Sequence, residues 1–130
     1  MIIVDASIVI DLLLDRGQFL RRIASRIAGE ALAAPHLLDA EVGHALRRSV
    51  LRGSLPAAFA LSALDDLARL RLTRHPHTLL LPRAFELRDN ATFSDALYLA
   101  LADTLSATLF TRDRALARVP GIAARVEVVA

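Results

Sequence analysis

Short runs of apolar, often β-branched residues alternate along this chain with longer stretches whose apolar positions recur every three or four residues. Met1-Ile2-Ile3-Val4 is wholly apolar and stops at Asp5, as a buried strand does. Ser7 to Leu14 and Gln18 to Ala28 read as helices, separated at Gly17 and closed by Gly29. Ala31-Leu32-Ala33-Ala34, ended by Pro35, allows a short strand. Leu37 to Arg52 predicts a helix that buries Leu38, Val42, Ala45, Leu46 and Ser49, with Gly53 as its stop. Ser54 is placed to cap the next helix, which has Pro56 in its first turn, buries Phe59, Ala63, Leu64 and Leu67 and ends near Leu70. Leu70 to Arg74 allows a strand, and Thr78 to Arg88 and Phe93 to Ser106 read as helices. Thr108 to Thr111 reads as a buried strand, Arg114 to Arg118 as a short helix and Val126 to Val129 as an edge strand. Strands alternating with helices over short connections predict an α/β fold with a mainly parallel sheet. Ligands of such sheets bind outside the carboxyl ends of the strands, and Asp5 and Asp113 both fall at that edge.

The 130 residues predict a single domain, 1–130, large enough for a core. A hydrophobic share of 55% excludes disorder. No apolar run reaches the ~20 residues of a membrane span, and the start lacks the basic segment of a signal peptide. The absence of cysteine fits a reducing cytoplasm. All 16 cations are Arg, yet the net charge is only +2, so bulk charge does not mark a nucleic-acid binder.

The chemistry lies in the acids. Asp5, Asp95 and Asp113 stand at strand ends or helix starts, where each has a structural alternative as a cap. Asp95 in particular closes a Thr-x-x-Asp sequence with Thr92, like a capping box. Glu41 has no such alternative. It projects about 60° from the centre of the apolar stripe of its helix. Its i±4 neighbours are Leu37 and Ala45, so no cation waits there, and His44 is its only local partner. A carboxylate half-turned into a core without a cation is costly and must either take up a proton or meet a metal. Acids that converge without a matching cation point to an ion. Oxygen-only donors in a cysteine-free chain suit Mg²⁺ or Mn²⁺. The expectation is that Glu41 lies beside Asp5 in the fold. The other acids, Asp103 among them, read as solvated, and His36, His44, His75 and His77 do not form a metal spacing. There is no Gly-rich phosphate loop and no Ser-His-Asp arrangement.

Taken in order, these marks resemble the PIN-domain family, and closely its short VapC-type toxins of bacterial type II toxin–antitoxin systems. The resemblance spans essentially the whole chain. It rests on Ile3-Val4-Asp5-Ala6-Ser7, the Glu of Leu38-Asp39-Ala40-Glu41-Val42, the block Ser94-Asp95-Ala96-Leu97-Tyr98-Leu99-Ala100-Leu101-Ala102, and Leu109-Phe110-Thr111-Arg112-Asp113. Ser94 departs from the family, which commonly has an aromatic residue there. The resemblance implies a three-layer α/β/α sandwich and a Mg²⁺- or Mn²⁺-dependent endoribonuclease whose acidic site is Asp5, Glu41, Asp95 and Asp113. Asp5 and Asp95 are expected as direct ligands, with Glu41 and Asp113 acting through water or on a second ion. Ser7 and Thr111 match hydroxyl positions that orient a carboxylate or water. Arg48, Arg52, Arg112 and Arg114 are candidates to meet RNA phosphates. A receiver domain also places an Asp after its first strand, but works with a Lys that this chain lacks. The alternative that remains is a PIN-like module that binds RNA or protein without cleaving. Apolar excess around Phe59 and Leu79-Leu80-Leu81, with the resemblance, predicts a homodimer that binds a small antitoxin.

Overall fold

The computed structural model describes residues 1–15 and 17–129. Five strands form one parallel sheet: β1 (Ile2–Val4), β2 (Leu32–Pro35), β3 (Thr73–His75), β4 (Thr108–Thr111) and β5 (Val126–Val128). Six helices flank it: α1 (Ala6–Leu14), α2 (Gln18–Ile27), α3 (Leu37–Leu51), α4 (Ala57–Arg69), α5 (Leu81–Glu86) and α6 (Phe93–Leu105). The strand order is β3-β2-β1-β4-β5. From β1 the chain builds outward through β2 and β3, then returns to the other side of β1 to lay down β4 and β5. The direction of winding therefore reverses between β1 and β4, and a crevice opens there at the carboxyl ends of the strands. Ile2, Ile3 and Val4 pair with Thr108, Leu109 and Phe110, which brings the residues after the two strands together.

The core explains the sequence pattern. β1 is buried along its whole length, as a central strand covered on both faces must be. In α6, Ala96 to Ala102 are all buried, so this helix is enclosed on every side rather than striped. It packs against β1, β2 and β4, while α1, α3 and α4 pack on one another.

Several expectations are corrected. Ser54 does not cap α4. Its hydroxyl donates to the Ser49 carbonyl at 3.0 Å, closing the end of α3, and Pro56 takes the cap position of α4 without a side-chain bond. The buried face of α4 is Ala60, Ala63 and Leu67. Phe59 and Leu64 are left 45% and 38% exposed. The helix expected over Thr78 to Arg88 is a 3-10 turn, Thr78–Leu80, followed by α5. Pro82 has no N–H to donate back to Thr78, so one α-helix cannot run through. The strand expected at Leu70 to Arg74 lies at Thr73–His75, and the short helix after Asp113 is a 3-10 turn, Leu116–Arg118. Asp103 is not solvated. One oxygen accepts from the Ala124 N–H at 2.7 Å and the other from Arg83 at 3.0 Å. Asp39 and Arg74 form a two-bonded pair at 2.7 and 2.9 Å.

The helix that carries Glu41 gets its N-terminal cap from a distant residue. His36 makes no side-chain cap bond, and His77 Nε2 accepts the Leu37 N–H at 2.9 Å. Changing His77 to Ala is expected to cost about 1 kcal/mol, the usual worth of a cap, read as a lower melting temperature. An unchanged melt would show that water replaces the bond at no cost.

Candidate active site

Asp5, Glu41, Asp95 and Asp113 line one cavity of about 190 Å³, together with Ala6, Ser7, Tyr98 and Leu116. The cavity sits where the winding of the sheet reverses. Asp5 follows β1 and caps α1, accepting the Ile8 N–H at 3.2 Å. Its carboxylate also receives the hydroxyls of Ser7 and Thr111, one on each oxygen. Each hydroxyl gives its proton to Asp5 and takes a backbone N–H from the loop after β4: Arg112 N–H on Ser7 at 3.1 Å, Asp113 N–H on Thr111 at 3.0 Å. The two hydroxyls thus tie Asp5 to the segment that carries Asp113.

Asp5 is the cap of α1 and Thr92 that of α6, whereas the 3-10 turn Leu116–Arg118 starts from Ala115 with no side-chain cap, so Asp113 does not cap it. Thr92 accepts the Asp95 N–H at 3.2 Å, so Asp95 stands in the first turn of α6. Asp113 accepts the Ala115 N–H at 2.8 Å and turns the chain over the cavity. Glu41 projects from α3 and accepts the Tyr98 hydroxyl at 2.6 Å. The sequence reading places Tyr98 outside the site. The signal was available: it is the chain's one Tyr, three residues after Asp95 in an apolar helix, and a buried phenol needs a partner.

Electrostatically the site is under strain. Among the described residues, none of the four acids is in a salt bridge. Burial pushes the Asp5 carboxyl above its ordinary 3.8, against the pull of the Ser7 and Thr111 hydroxyls. Burial likewise raises Glu41 above 4.5, opposed by the Tyr98 hydroxyl and reinforced by Asp95 and Asp5. Asp95 is raised by burial, opposed by Thr92 and reinforced by Asp113 and Asp5. Burial and the Glu41 charge push the Tyr98 phenol far upward, so it keeps its proton and acts only as a donor here.

The donor set fits a hard divalent cation in kind: oxygen only, charge in excess, and Asp5, Glu41 and Asp95 raised in proton affinity by burial. Among the described residues, no three of the His, Asp and Glu side chains are grouped so that they could hold a metal ion as they stand. The candidate arginines do not line the cavity. Arg48 and Arg52 are exposed along and just past α3, and Arg114 is exposed beside Asp113. Arg112 is committed elsewhere, to Asp11 and to the face of Phe19. No helix among the described residues is long and apolar enough to cross a membrane.

The PIN-domain family model matches residues 2–122. Ribonuclease VapC1 of Mycobacterium tuberculosis (strain ATCC 25618 / H37Rv) is 43% identical over 128 residues, which cover 98% of this chain and 96% of that protein. Among solved structures, PAE2754 from Pyrobaculum aerophilum superposes with a TM-score of 0.70 at 26% identity, covering 98% of this chain and 83% of that one. A chain of VapBC2 from Rickettsia felis, solved bound to a DNA fragment from their promoter, gives a TM-score of 0.73 at 18% identity over 98% of each chain, a likeness of fold.

Proposed function

Because the chain belongs to the PIN-domain family, in its VapC branch, we propose that it is a metal-dependent endoribonuclease, the toxin of a toxin–antitoxin pair. It acts from a single domain, 1–130, in the cytoplasm. The observation that carries this reading is the gathering of Asp5, Glu41, Asp95 and Asp113 around one cavity with no cation of the described chain to neutralise them.

In this reading Asp5 and Asp95 hold Mg²⁺ or Mn²⁺ directly, and Glu41 and Asp113 act through water or on a second ion. A bound ion of this type activates water and offsets charge on the scissile phosphate. The chain supplies position. Ser7, Thr111 and the Ile8 N–H hold the Asp5 carboxylate in one orientation before anything binds. Ala6 and Leu116 give the cavity an apolar wall. Arg114, Arg48 and Arg52 are free to meet RNA phosphates, whereas Arg112 joins them only by releasing Asp11.

The test is to incubate the protein with total cellular RNA under Mg²⁺, Mn²⁺ or EDTA and to map the new ends. Cleavage that needs the cation and vanishes in EDTA is expected. RNA that is bound but left intact with both ions would overturn the enzyme and leave a binding module.

The partners are an antitoxin protein and a second copy of the chain. An apolar groove of about 300 Å³ runs between α3 and α4, lined by Leu46, Val50, Leu51, Ala60, Leu61 and Leu64. A separate apolar group lies around α5, with Leu79 88% and Phe85 61% exposed. Two such patches on one small domain support two protein contacts. Light scattering is expected to give a dimer at micromolar concentration, and a monomer alone would refute the second copy.

A further inference from the structure

We propose that Tyr98 is a positioning residue for the acidic site, fixing the Glu41 carboxylate against the helix that carries Asp95. The proposal rests on the reading of the cavity as a divalent-cation centre. Asp95 and Glu41 come from different helices, α6 and α3, and from positions 54 residues apart in the chain. Something must set the distance between them. The 2.6 Å bond from Tyr98 to Glu41 Oε1 is the only side-chain hydrogen bond between those two helices among the described residues. Tyr98 is well suited to the task. It is 1% exposed, packed within the buried run Ala96 to Ala102, and stands three residues after Asp95 on α6. Its ring is held by packing, so its oxygen is a fixed point.

Glu41 needs such a point. It has three rotatable side-chain bonds, is partly exposed, and faces Asp5 and Asp95 across the same cavity. Like charge drives it outward to water, and Tyr98 holds one oxygen in. Glu41 Oε2 has no hydrogen-bond partner among the described residues, which leaves it open to a cation. The chemistry of the donor matters as much as its place. An Arg or Lys here would orient Glu41 but cancel the charge that a metal ion must find. A neutral phenol orients the carboxylate and leaves its charge in full.

The experiment is Tyr98→Phe, which removes one oxygen and keeps the ring. Mn²⁺ dissociation constants are measured by calorimetry on folded protein at 25 °C, alongside melting in EDTA. Ile23→Val, a core change outside the cavity, controls for stability alone. Loss of an outer partner of a metal ligand costs roughly 10- to 100-fold in metal affinity. Tyr98→Phe is therefore expected to weaken Mn²⁺ binding about tenfold or more, with Ile23→Val close to wild type. A Tyr98→Phe constant within threefold of wild type, or a loss matched by Ile23→Val, overturns the proposal and leaves the metal reading standing. A wild type that takes up no Mn²⁺ overturns both.

Discussion

Replacing Asp95 by Asn is expected to stabilise the metal-free protein and to cut RNA cleavage by roughly a hundredfold or more, at or beyond what an outer partner of a metal ligand is worth. The two effects have one cause. Asp95 is raised in proton affinity by burial first, and then by Asp113 and Asp5. Two carboxylates about 5 Å apart repel by roughly 3 kcal/mol at an effective dielectric of about 20, before relaxation or proton uptake reduces it. Asn keeps the side-chain oxygen that faces Thr92 and drops the charge. Were Asp95 only a residue of the first turn of α6, losing its charge would instead cost about 0.3–1 kcal/mol and leave cleavage alone. Melting curves in EDTA and cleavage rates separate the two cases. A variant that melts lower than wild type in EDTA and cleaves at the wild-type rate would sink the assignment.

The metal-free protein is expected to lose stability as pH rises, and Mg²⁺ to restore it. The folded state holds protons on Asp5, Glu41 and Asp95 more tightly than the unfolded chain does, since burial raises all three. Their contribution to stability is full below the ordinary values of 3.8 and 4.5. It is lost as pH climbs through the higher folded values. At neutral pH the cluster is therefore a liability that only a cation relieves. Mg²⁺ at a hundredfold excess over its dissociation constant adds about 2.7 kcal/mol, or about 10 °C for a domain of this size. That increment is expected to shrink toward pH 4, where protons compete for the same oxygens. Melting in EDTA that improves steadily from pH 4 to pH 7 would contradict the sign.

The parts legible in the sequence were those whose cause is local. Met1 to Asp5 and Thr108 to Thr111 announce buried strands by their own apolar runs, and the acids at their ends follow from the pattern. Glu41 was legible because its helix offered it no cation. The rest depends on distant partners. That α4 turns Ala60 rather than Phe59 inward depends on what it packs against, α3 and α1, which no single helix records. Asp103 looks solvated until the loop at Ala124 folds onto it. His77 caps a helix that begins forty residues before it. The bond from Tyr98 to Glu41 joins two residues 57 apart, neither of which has a local reason to seek the other.

The Thr111 hydroxyl rests on Asp5, 106 residues earlier in the chain. A ribosome working at about 5–20 residues per second needs about 5–20 s to travel that interval. For all that time Asp5 has Ser7 and the Ile8 N–H but not its second hydroxyl. β1 waits likewise for β4, its neighbour in the middle of the sheet. The acidic cluster is thus completed only once both Asp5 and the segment from Thr111 to Asp113 have been made. A chain that stops short of Thr111 carries three of the four acids, and of the two hydroxyls that hold Asp5 it has only Ser7. On the reading of this cavity as a ribonuclease centre, the capacity to cut RNA is accordingly expected in one step, when the segment from Thr111 to Asp113 docks on Asp5, and not by degrees during synthesis.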